Sequence, residues 1–311
     1  MAAYLELYHS GKLRERVDGA LSLLESCPIC PRSCGVNRLA GDAGKCRTPR
    51  QAMVSSYGPH LSEEAPLMGK HGSGAIFFTS CNLRCLFCQN YSIRQLDEGQ
   101  KVSKEALAYI MLSLEARGCH NIDLVSPSHV VPQNLEALEL AVTSGLHVPL
   151  VYNSGGYDSV QALKILDGIV DIYVPDMKYD NEETARELSG IENYREVNKA
   201  AVKEMHRQTG DLEINEEGVA QRGLLVRHLI LPHGLAGTEG ILTFLSKEIS
   251  PNTYVNVMAQ YHPCYKALGI PGLGRRISSA EFQQALSLAH EAGLSRLDEV
   301  HPAEPLAIPS E

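Results

Sequence analysis

Residues 75–88 read AIFFTSCNLRCLFC, a short apolar run followed at once by the spacing C-x3-C-x2-C. The thiolates of Cys81, Cys85 and Cys88 are one fewer than the four that usually hold an iron–sulfur cube. A cube with three protein ligands leaves one iron open, and an open metal position is typical of a reactive site. Zinc is the competing interpretation, but zinc needs a fourth ligand and no histidine or cysteine stands close behind Cys88.

From residue 75 onward, apolar runs of strand length alternate with amphipathic helices. Strands this apolar are buried on both faces, and their alternation with helices is typical of parallel βαβ units. We therefore predict an α/β fold with a partial (βα)6 barrel whose functional groups lie at the carboxyl ends of its strands. The predicted strands are 75–79, 121–125, 148–153, 169–174, 224–231 and 252–257, and the predicted helices are 103–117, 133–144, 158–166, 193–209, 239–247 and 279–292.

The rest of the chain divides around this barrel. Residues 1–26 are predicted to form an N-terminal helix, and residues 27–74 a Cys-rich metal-binding segment and linker. Residues 75–295 are the predicted barrel, and residues 296–311 a C-terminal tail.

The Cys-rich segment has the spacing Cys27-x2-Cys30-x3-Cys34-x11-Cys46, which supplies four soft ligands. Four thiolates suit a structural zinc ion or a closed iron–sulfur cluster, and the spacing does not separate the two. An auxiliary cluster could relay electrons, whereas zinc would only brace the segment. We predict a second metal centre here, zinc or iron–sulfur.

Composition and charge limit the partners. The formal net charge of −9 argues against nonspecific binding to nucleic acid or to an anionic membrane. No uncharged apolar run approaches the roughly 20 residues of a membrane helix, and no signal peptide is visible. We therefore expect a cytoplasmic protein, in which the nine cysteines are metal ligands rather than disulfides.

The cysteine loop resembles the signature of the radical S-adenosylmethionine (SAM) superfamily, in which an aromatic residue, here Phe87, precedes the last cysteine. The resemblance covers roughly residues 27–295. Within the superfamily, the chain is similar to an uncharacterised branch related to pyruvate formate-lyase activating enzymes. The further runs that carry it are 72–78, 88–91, 151–157, 170–179 and 226–232.

This resemblance implies a [4Fe–4S] cluster held by the catalytic cysteines Cys81, Cys85 and Cys88, with SAM on the open iron. The reduced cluster would cleave SAM into methionine and a 5′-deoxyadenosyl radical, which abstracts hydrogen from a substrate. Phe87 would lie near the adenine. The resemblance also implies a one-electron donor such as flavodoxin or ferredoxin, and a protein substrate of the glycyl-radical-enzyme type.

Polar side chains follow several predicted strands, where an α/β barrel places its active site. His129 ends the second strand and Asn153 the third, so both are candidates to contact the substrate or SAM. Asp176 and Lys178 follow the fourth strand and resemble a D-x-K pair that lies beside SAM in the activating enzymes. The alternatives are a solvated turn for the pair and a structural role for the histidine.

Arg227 and His228 lie inside the apolar run LLVRHLIL at 224–231. A charge there is costly unless it is paired, and strand side chains alternate, so one of the two points toward the lumen or toward a helix. We expect Arg227 to hold the SAM carboxylate, with an ion pair to a neighbouring helix as the alternative.

The chain departs from the family pattern after the second strand. Radical SAM proteins commonly carry a Gly-Gly-Glu element there that contacts the SAM amine, whereas this chain reads Ser126-Pro127-Ser128-His129. Ser126 and Ser128 are the candidates to replace it. Two other classes of function stay open: an electron-transfer or metal-sensing protein without radical chemistry, and a zinc-braced scaffold.

Overall fold

The computed structural model describes residues 2–298, so Met1 and the part of the predicted tail from residue 299 onward lie outside the described residues. The strands of this part of the chain are β1 (Ala52–His60), β2 (Ser73–Phe78), β3 (Gln100–Val102), β4 (Ile122–Val125), β5 (Leu150–Ser154), β6 (Ile172–Pro175), β7 (Glu213–Ile214), β8 (Ala220–Leu229) and β9 (Tyr254–Met258). The α-helices are α1 (Tyr4–His9), α2 (Lys12–Ser22), α3 (Ala65–Met68), α4 (Tyr91–Gln95), α5 (Lys104–Ala116), α6 (Val131–Thr143), α7 (Val160–Ile165), α8 (Glu182–Ser189), α9 (Tyr194–Thr209), α10 (Thr238–Phe244) and α11 (Ser279–Glu291).

Six strands within residues 2–298 run parallel, in the order β2-β4-β5-β6-β8-β9. Helices connect them, so the predicted α/β fold with a partial (βα)6 barrel is confirmed. Every residue of β4, β5 and β6 is buried, because helices cover one face and the lumen the other. Each of the six predicted strands overlaps one of these strands.

The edge of the barrel contains a strand that sequence patterning does not reveal. β1 pairs antiparallel with β2, and only its first residues, Ala52 to Val54, pair with β3 on the other side. Gly58 and Pro59 break the apolar alternation near its end, which is why residues 58–74 read as a linker. A proline is tolerated there because this part of the strand has a free edge.

The N-terminal helix is divided into α1 and α2 at Gly11, which adopts a left-handed backbone with φ 76°. α2 packs against α6 and α7 on the outside of the barrel, and the start of α1 is attached to the loops that precede β5 and β6. Asp171 makes this attachment, because its carboxylate accepts the N–H of Ala3 and the N–H of Leu150, both at 2.8 Å. The fully buried Tyr4 donates its hydroxyl to the Val148 carbonyl at 2.8 Å.

No helix among the described residues is long and apolar enough to cross a membrane.

Candidate functional site

The three-cysteine loop begins directly after β2, at the carboxyl edge of the barrel. Cys81, Cys85 and Cys88 line one cleft there, which we call the cysteine cleft. The loop is held by backbone hydrogen bonds, from Leu86 N to the Leu188 carbonyl at 2.8 Å and from Lys266 N to the Leu86 carbonyl at 2.9 Å. The strand therefore delivers all three thiols to the face on which parallel barrels carry their active sites.

The other sequence-predicted site residues line the same cleft. They come from the cysteine loop and from the ends of three parallel strands, β5, β6 and β8, and they are Phe87, Asn153, Asp176, Lys178 and Arg227. These five residues, which lie as far apart in the sequence as positions 87 and 227, thus meet in one cleft, as their positions at strand ends predict. His129 is absent from the described lining of this cleft and lies in a second cavity instead.

The donor set of the cleft fits an iron–sulfur cube with an open corner. Its described lining contains three cysteines and neither a fourth cysteine nor a histidine. Among residues 2–298, no three His, Cys, Asp or Glu side chains converge on the position of a single metal ion. A cube makes a different demand, because each thiolate binds a different iron at its own corner.

Two of these sulfurs accept hydrogen bonds, whereas burial favours the protonated forms of Cys81 and Cys88. The Leu83 N–H lies 3.4 Å from the sulfur of Cys81, and the Ser189 hydroxyl lies 3.0 Å from the sulfur of Cys85. Burial raises the pKa of Cys81, and it raises the pKa of Cys88 to about 12. Binding to a metal would remove those protons and place negative charge in the cleft.

Arg94 is a site residue that sequence reasoning missed. Its side chain is buried, lines the cysteine cleft and donates to the carbonyls of Phe78 and Val125. Among the described residues, no carboxylate forms an ion pair with it. Its charge opposes the burial that raises the pKa values of Cys81 and Cys88, so it is placed to offset thiolate charge.

Asp176 and Lys178 form an ion pair inside the cleft rather than a solvated turn. Lys178 Nζ lies 2.5 Å from Asp176 Oδ2, and both side chains are largely buried. Burial favours the neutral lysine, but the Asp176 carboxylate outweighs it and raises the pKa of Lys178. The backbone between them is held by Tyr194, whose hydroxyl accepts the Lys178 N–H at 2.9 Å.

Arg227 points into the lumen, and its main partners are two acidic residues from the segment predicted as a linker. Its guanidinium binds both oxygens of Glu64, at 2.7 and 2.6 Å, and also contacts Glu63. Glu64 is the N-cap residue of α3, so Arg227 forms a structural ion pair with the start of a short helix, which was the alternative to a contact with the SAM carboxylate. Nη1 of Arg227 donates to Asn153 Oδ1 at 3.2 Å, which fixes this amide in the cleft.

Asn153 connects this network to a buried carboxyl group. Its amide nitrogen lies 3.2 Å from Oδ2 of Asp123, whose other oxygen has no hydrogen-bond partner among the described residues. Burial, followed by the nearby Glu63 charge, raises the pKa of Asp123 well above its usual range.

His228 points away from the lumen, as strand alternation requires. Its Nδ1 lies 2.8 Å from the Met177 carbonyl and its Nε2 lies 2.9 Å from the Thr238 hydroxyl. Burial lowers the pKa of His228 to about 4, so the imidazole is neutral. It therefore fixes the backbone between Asp176 and Lys178 without adding a charge.

The two serines that follow β4 lie in different surroundings. Ser126 lines the cysteine cleft in a left-handed conformation, with φ 61°, and its N–H donates to the Asn153 carbonyl at 2.7 Å. Ser128 is absent from the described lining and hydrogen-bonds to the buried Asp158. Of the two candidates for the missing Gly-Gly-Glu element, the structure brings only Ser126 to the site.

Phe87 forms part of an aromatic wall. It is buried and packs edge-on against Tyr179 and Tyr261, with ring centres 6.3 and 6.0 Å apart. Its ring thus both packs on the barrel rim and lines the cleft.

The Gly155-Gly156 pair permits close approach between neighbouring loops. A Cβ on Gly155 would lie 2.6 Å from Leu83 Cδ1 of the cysteine loop. Gly156 has φ 73°, and a Cβ there would overlap the Asp176 carbonyl oxygen and the amide of Asn198. The pair therefore sets the spacing between the cysteine loop and the Asp176 turn.

The four upstream cysteines line a second, smaller cavity, which we call the N-terminal cavity, although no three of them converge on the position of a single metal ion. Its lining includes Cys27, Cys30, Cys34 and Cys46, together with Arg38 and His129. The Lys45 N–H lies 3.4 Å from the sulfur of Cys34, and Arg38 Nη1 lies 3.8 Å from the sulfur of Cys27. Burial raises the pKa of Cys30 to about 12.

Two arginines join this segment to the cysteine loop. Arg32 Nε donates to the Asn82 carbonyl at 3.0 Å, and Arg84 Nη2 donates to the Lys45 carbonyl at 3.1 Å. The two cysteine sets therefore belong to one continuous packed structure.

The chain resembles known proteins along most of its length. Residues 75–212 match the radical SAM superfamily. The chain is 32% identical over 296 residues to the uncharacterized protein MJ0674 of Methanocaldococcus jannaschii, a match that covers 93% of this chain and 82% of that protein.

Solved structures of radical SAM enzymes are more distant. A radical SAM methyltransferase from Sphaerobacter thermophilus is 15% identical with a TM-score of 0.49, over 71% of this chain and 64% of that one. Methylornithine synthase is 17% identical with a TM-score of 0.45, over 68% of this chain and 60% of that one. The match spans less than two thirds of either structure's length. By the matched residues and its relative in M. jannaschii, the chain belongs to the radical SAM superfamily, whose members use a [4Fe–4S] cluster and SAM.

Proposed function

We propose that this protein cleaves SAM reductively in the cysteine cleft and uses the resulting radical to abstract hydrogen from a substrate. The observation that carries the proposal is the set of three thiols, Cys81, Cys85 and Cys88, at the strand ends, with no further cysteine or histidine in the described lining. When bound, the [4Fe–4S] cluster supplies one electron to SAM, which yields methionine and a 5′-deoxyadenosyl radical.

The side chains around the cleft have separate tasks in this proposal. Cys81, Cys85 and Cys88 bind three irons, and the buried charges of Arg94 and Lys178 offset the negative charge of the cluster. Both cations lie in a largely buried cleft, where their effect on charge exceeds that of exposed groups.

The polar residues on the barrel side of the cleft bind and orient SAM. Asp176 suits the ribose hydroxyls and Lys178 a carboxylate, while the Asp176 carboxylate favours the charged form of the lysine. Ser126 and Asn153 offer a hydroxyl and an amide beside them. Arg227 already binds Glu64 through two hydrogen bonds, so it acts on SAM by holding Asn153 in place.

Phe87 lines one side of the cleft, and Tyr179 and Tyr261, which are absent from the described lining, pack against it and help to exclude water from that side. A dry wall protects a reactive radical from side reactions. Phe87 lies within the cysteine motif, directly before Cys88, and we assign to its ring the contact with the adenine.

The resemblance to pyruvate formate-lyase activating enzymes supports a protein target, with a glycyl residue of a partner enzyme as the hydrogen donor. A one-electron donor such as flavodoxin or ferredoxin would reduce the cluster. The cysteines that line the N-terminal cavity hold a second metal centre, zinc or an auxiliary iron–sulfur cluster.

The test is anaerobic incubation of the reduced, cluster-loaded protein with SAM, followed by measurement of 5′-deoxyadenosine. We expect product from the native protein and its loss in Cys85→Ala. Cys119→Ala is the matched control, since Cys119 is buried but lines neither cavity. Equal product from Cys85→Ala would contradict the site assignment. A cluster spectrum that SAM leaves unchanged would support the electron-transfer or metal-sensing alternative.

A further inference from the structure

His129 follows β4 and faces away from the cysteine cleft. It is 1% exposed, and its Nε2 lies 3.0 Å from the Thr79 carbonyl oxygen. A carbonyl oxygen only accepts hydrogen bonds, so Nε2 carries the hydrogen. Nδ1 of the neutral ring therefore presents a lone pair.

That lone pair faces no hydrogen-bond donor within residues 2–298. Nδ1 of His129 is buried and has no hydrogen-bond partner among the described residues. His129 also lines the N-terminal cavity, together with the four upstream cysteines. An imidazole that donates one N–H to a backbone carbonyl and presents its other nitrogen is the form in which histidine binds metals.

Arg38 gives a second, independent indication that the N-terminal cavity holds an anionic group. Its side chain is fully buried and donates to the Pro49 and His129 carbonyls, with Cys27 as its other contact. In residues 2–298 no carboxylate pairs with it. A buried cation is costly without an opposing charge, and a thiolate-bound metal centre supplies that charge.

We propose that His129 binds the N-terminal metal centre through Nδ1, as a nitrogen ligand in place of one of the four thiolates of the Cys27 to Cys46 set, because such a centre has four ligand positions. The inference rests on the second metal centre of the proposed function and gives that centre one ligand from the barrel. The ring then links the N-terminal centre to the start of the cysteine loop, because its Nε2 donates to the carbonyl of Thr79, two residues before Cys81.

The experiment uses the full-length chain with Cys81, Cys85 and Cys88 changed to alanine, so that only the N-terminal centre can be loaded. Zinc, iron and sulfide are measured after anaerobic purification, and X-ray absorption is recorded at the edge of the metal found. We expect one nitrogen neighbour at about 2.0–2.1 Å beside sulfur at about 2.3 Å. If the metal is iron, ¹⁵N-labelled histidine should also produce a hyperfine coupling in the reduced cluster.

His129→Ala should lose the nitrogen neighbour and release its metal to a chelator at least about tenfold faster, since even residues that only support a ligand change affinity by about 10–100-fold. His228→Gln is the control, because both ring nitrogens of the buried His228 are already hydrogen-bonded. It should keep the native metal neighbours.

An all-sulfur set of neighbours would overturn the role of His129 and leave the centre itself intact. Absence of any metal would overturn both the centre and the inference. If His129→Ala does not fold, the nitrogen neighbour of the chain with native His129 decides the matter alone.

Discussion

The hydroxyl of Ser189 donates to the sulfur of Cys85 at 3.0 Å, across 104 residues of sequence. Ser189 is the last residue of α8 and is fully buried, and the Tyr179 hydroxyl lies 2.7 Å from its oxygen. The preceding residue, Leu188, accepts the N–H of Leu86. The end of α8 therefore holds the cysteine loop and polarises one of its ligands.

Removing this hydroxyl should make the radical cluster harder to reduce. Hydrogen bonds to ligand sulfurs stabilise the reduced, more negative cluster. A bond worth about 1 kcal/mol corresponds to roughly 40 mV for one electron. We expect Ser189→Ala to lower the cluster potential by tens of millivolts in an anaerobic redox titration, while Ser189→Thr keeps the native value. Equal potentials in both variants would show that the contact does not tune the cluster.

Arg94 should have a larger effect on the same potential, because a full buried charge is removed. One unit charge changes the energy of another at about 10 Å by about 1.7 kcal/mol at an effective dielectric of about 20, or roughly 70 mV for one electron. Arg94→Gln should lower the potential by this order. Arg84→Gln, which removes an exposed arginine of the cysteine loop, is the control and should change it little. A potential that moves equally in both would contradict the role of burial.

Gly156 should be intolerant of a side chain for a reason that backbone strain alone does not explain. Gly11→Ala is the matched control, since Gly11 has a similar φ of 76° and open space around it. The control should cost about 1–2 kcal/mol in urea unfolding from the left-handed backbone. Gly156→Ala should cost about 1–3 kcal/mol more, from overlap with the Asp176 carbonyl and Asn198. Similar losses in both variants would count against close packing at the Asp176 turn.

Protonation of His228 in the unfolded chain should lower the free energy of unfolding in mild acid. Its pKa is lowered to about 4 by burial, while in the unfolded chain it titrates near about 6.5. Between these values the unfolded chain binds more protons, so stability is fully present above about pH 6.5 and falls as the pH drops toward 4, by up to about 3 kcal/mol. Urea unfolding of native protein and His228→Gln from pH 7.5 to 5.5 measures this. If His228 is not the titrating group, the free energy of unfolding of native protein and of His228→Gln should fall equally with decreasing pH.

The barrel and the cysteine cleft were predictable because their signals are local. Apolar runs marked the six parallel strands, and strand ends marked Asn153, Asp176 and Lys178, which all reach the cleft. The functional partners of these residues were not predictable in the same way. Glu64 meets Arg227 across 163 residues, and only the folded barrel brings the two together.

Two further omissions have physical causes. Arg94 lies six residues beyond Cys88 and reads as an ordinary helix arginine, because sequence alone does not show that its partners are carbonyls. β1 was missed because Gly58 and Pro59 interrupt its alternation. That strand and Glu64 show that the segment before the barrel contributes to the sheet and to the lumen.

The account depends most directly on whether SAM binds the iron that the three cysteines leave open. SAM labelled with ¹⁵N in its amino group is added to the reduced, cluster-loaded protein, and electron–nuclear double resonance is recorded at the cluster signal. We predict a nitrogen coupling that is present with native protein and with Cys119→Ala. A fully loaded cluster that shows no coupling and no spectral response to SAM would contradict the central claim.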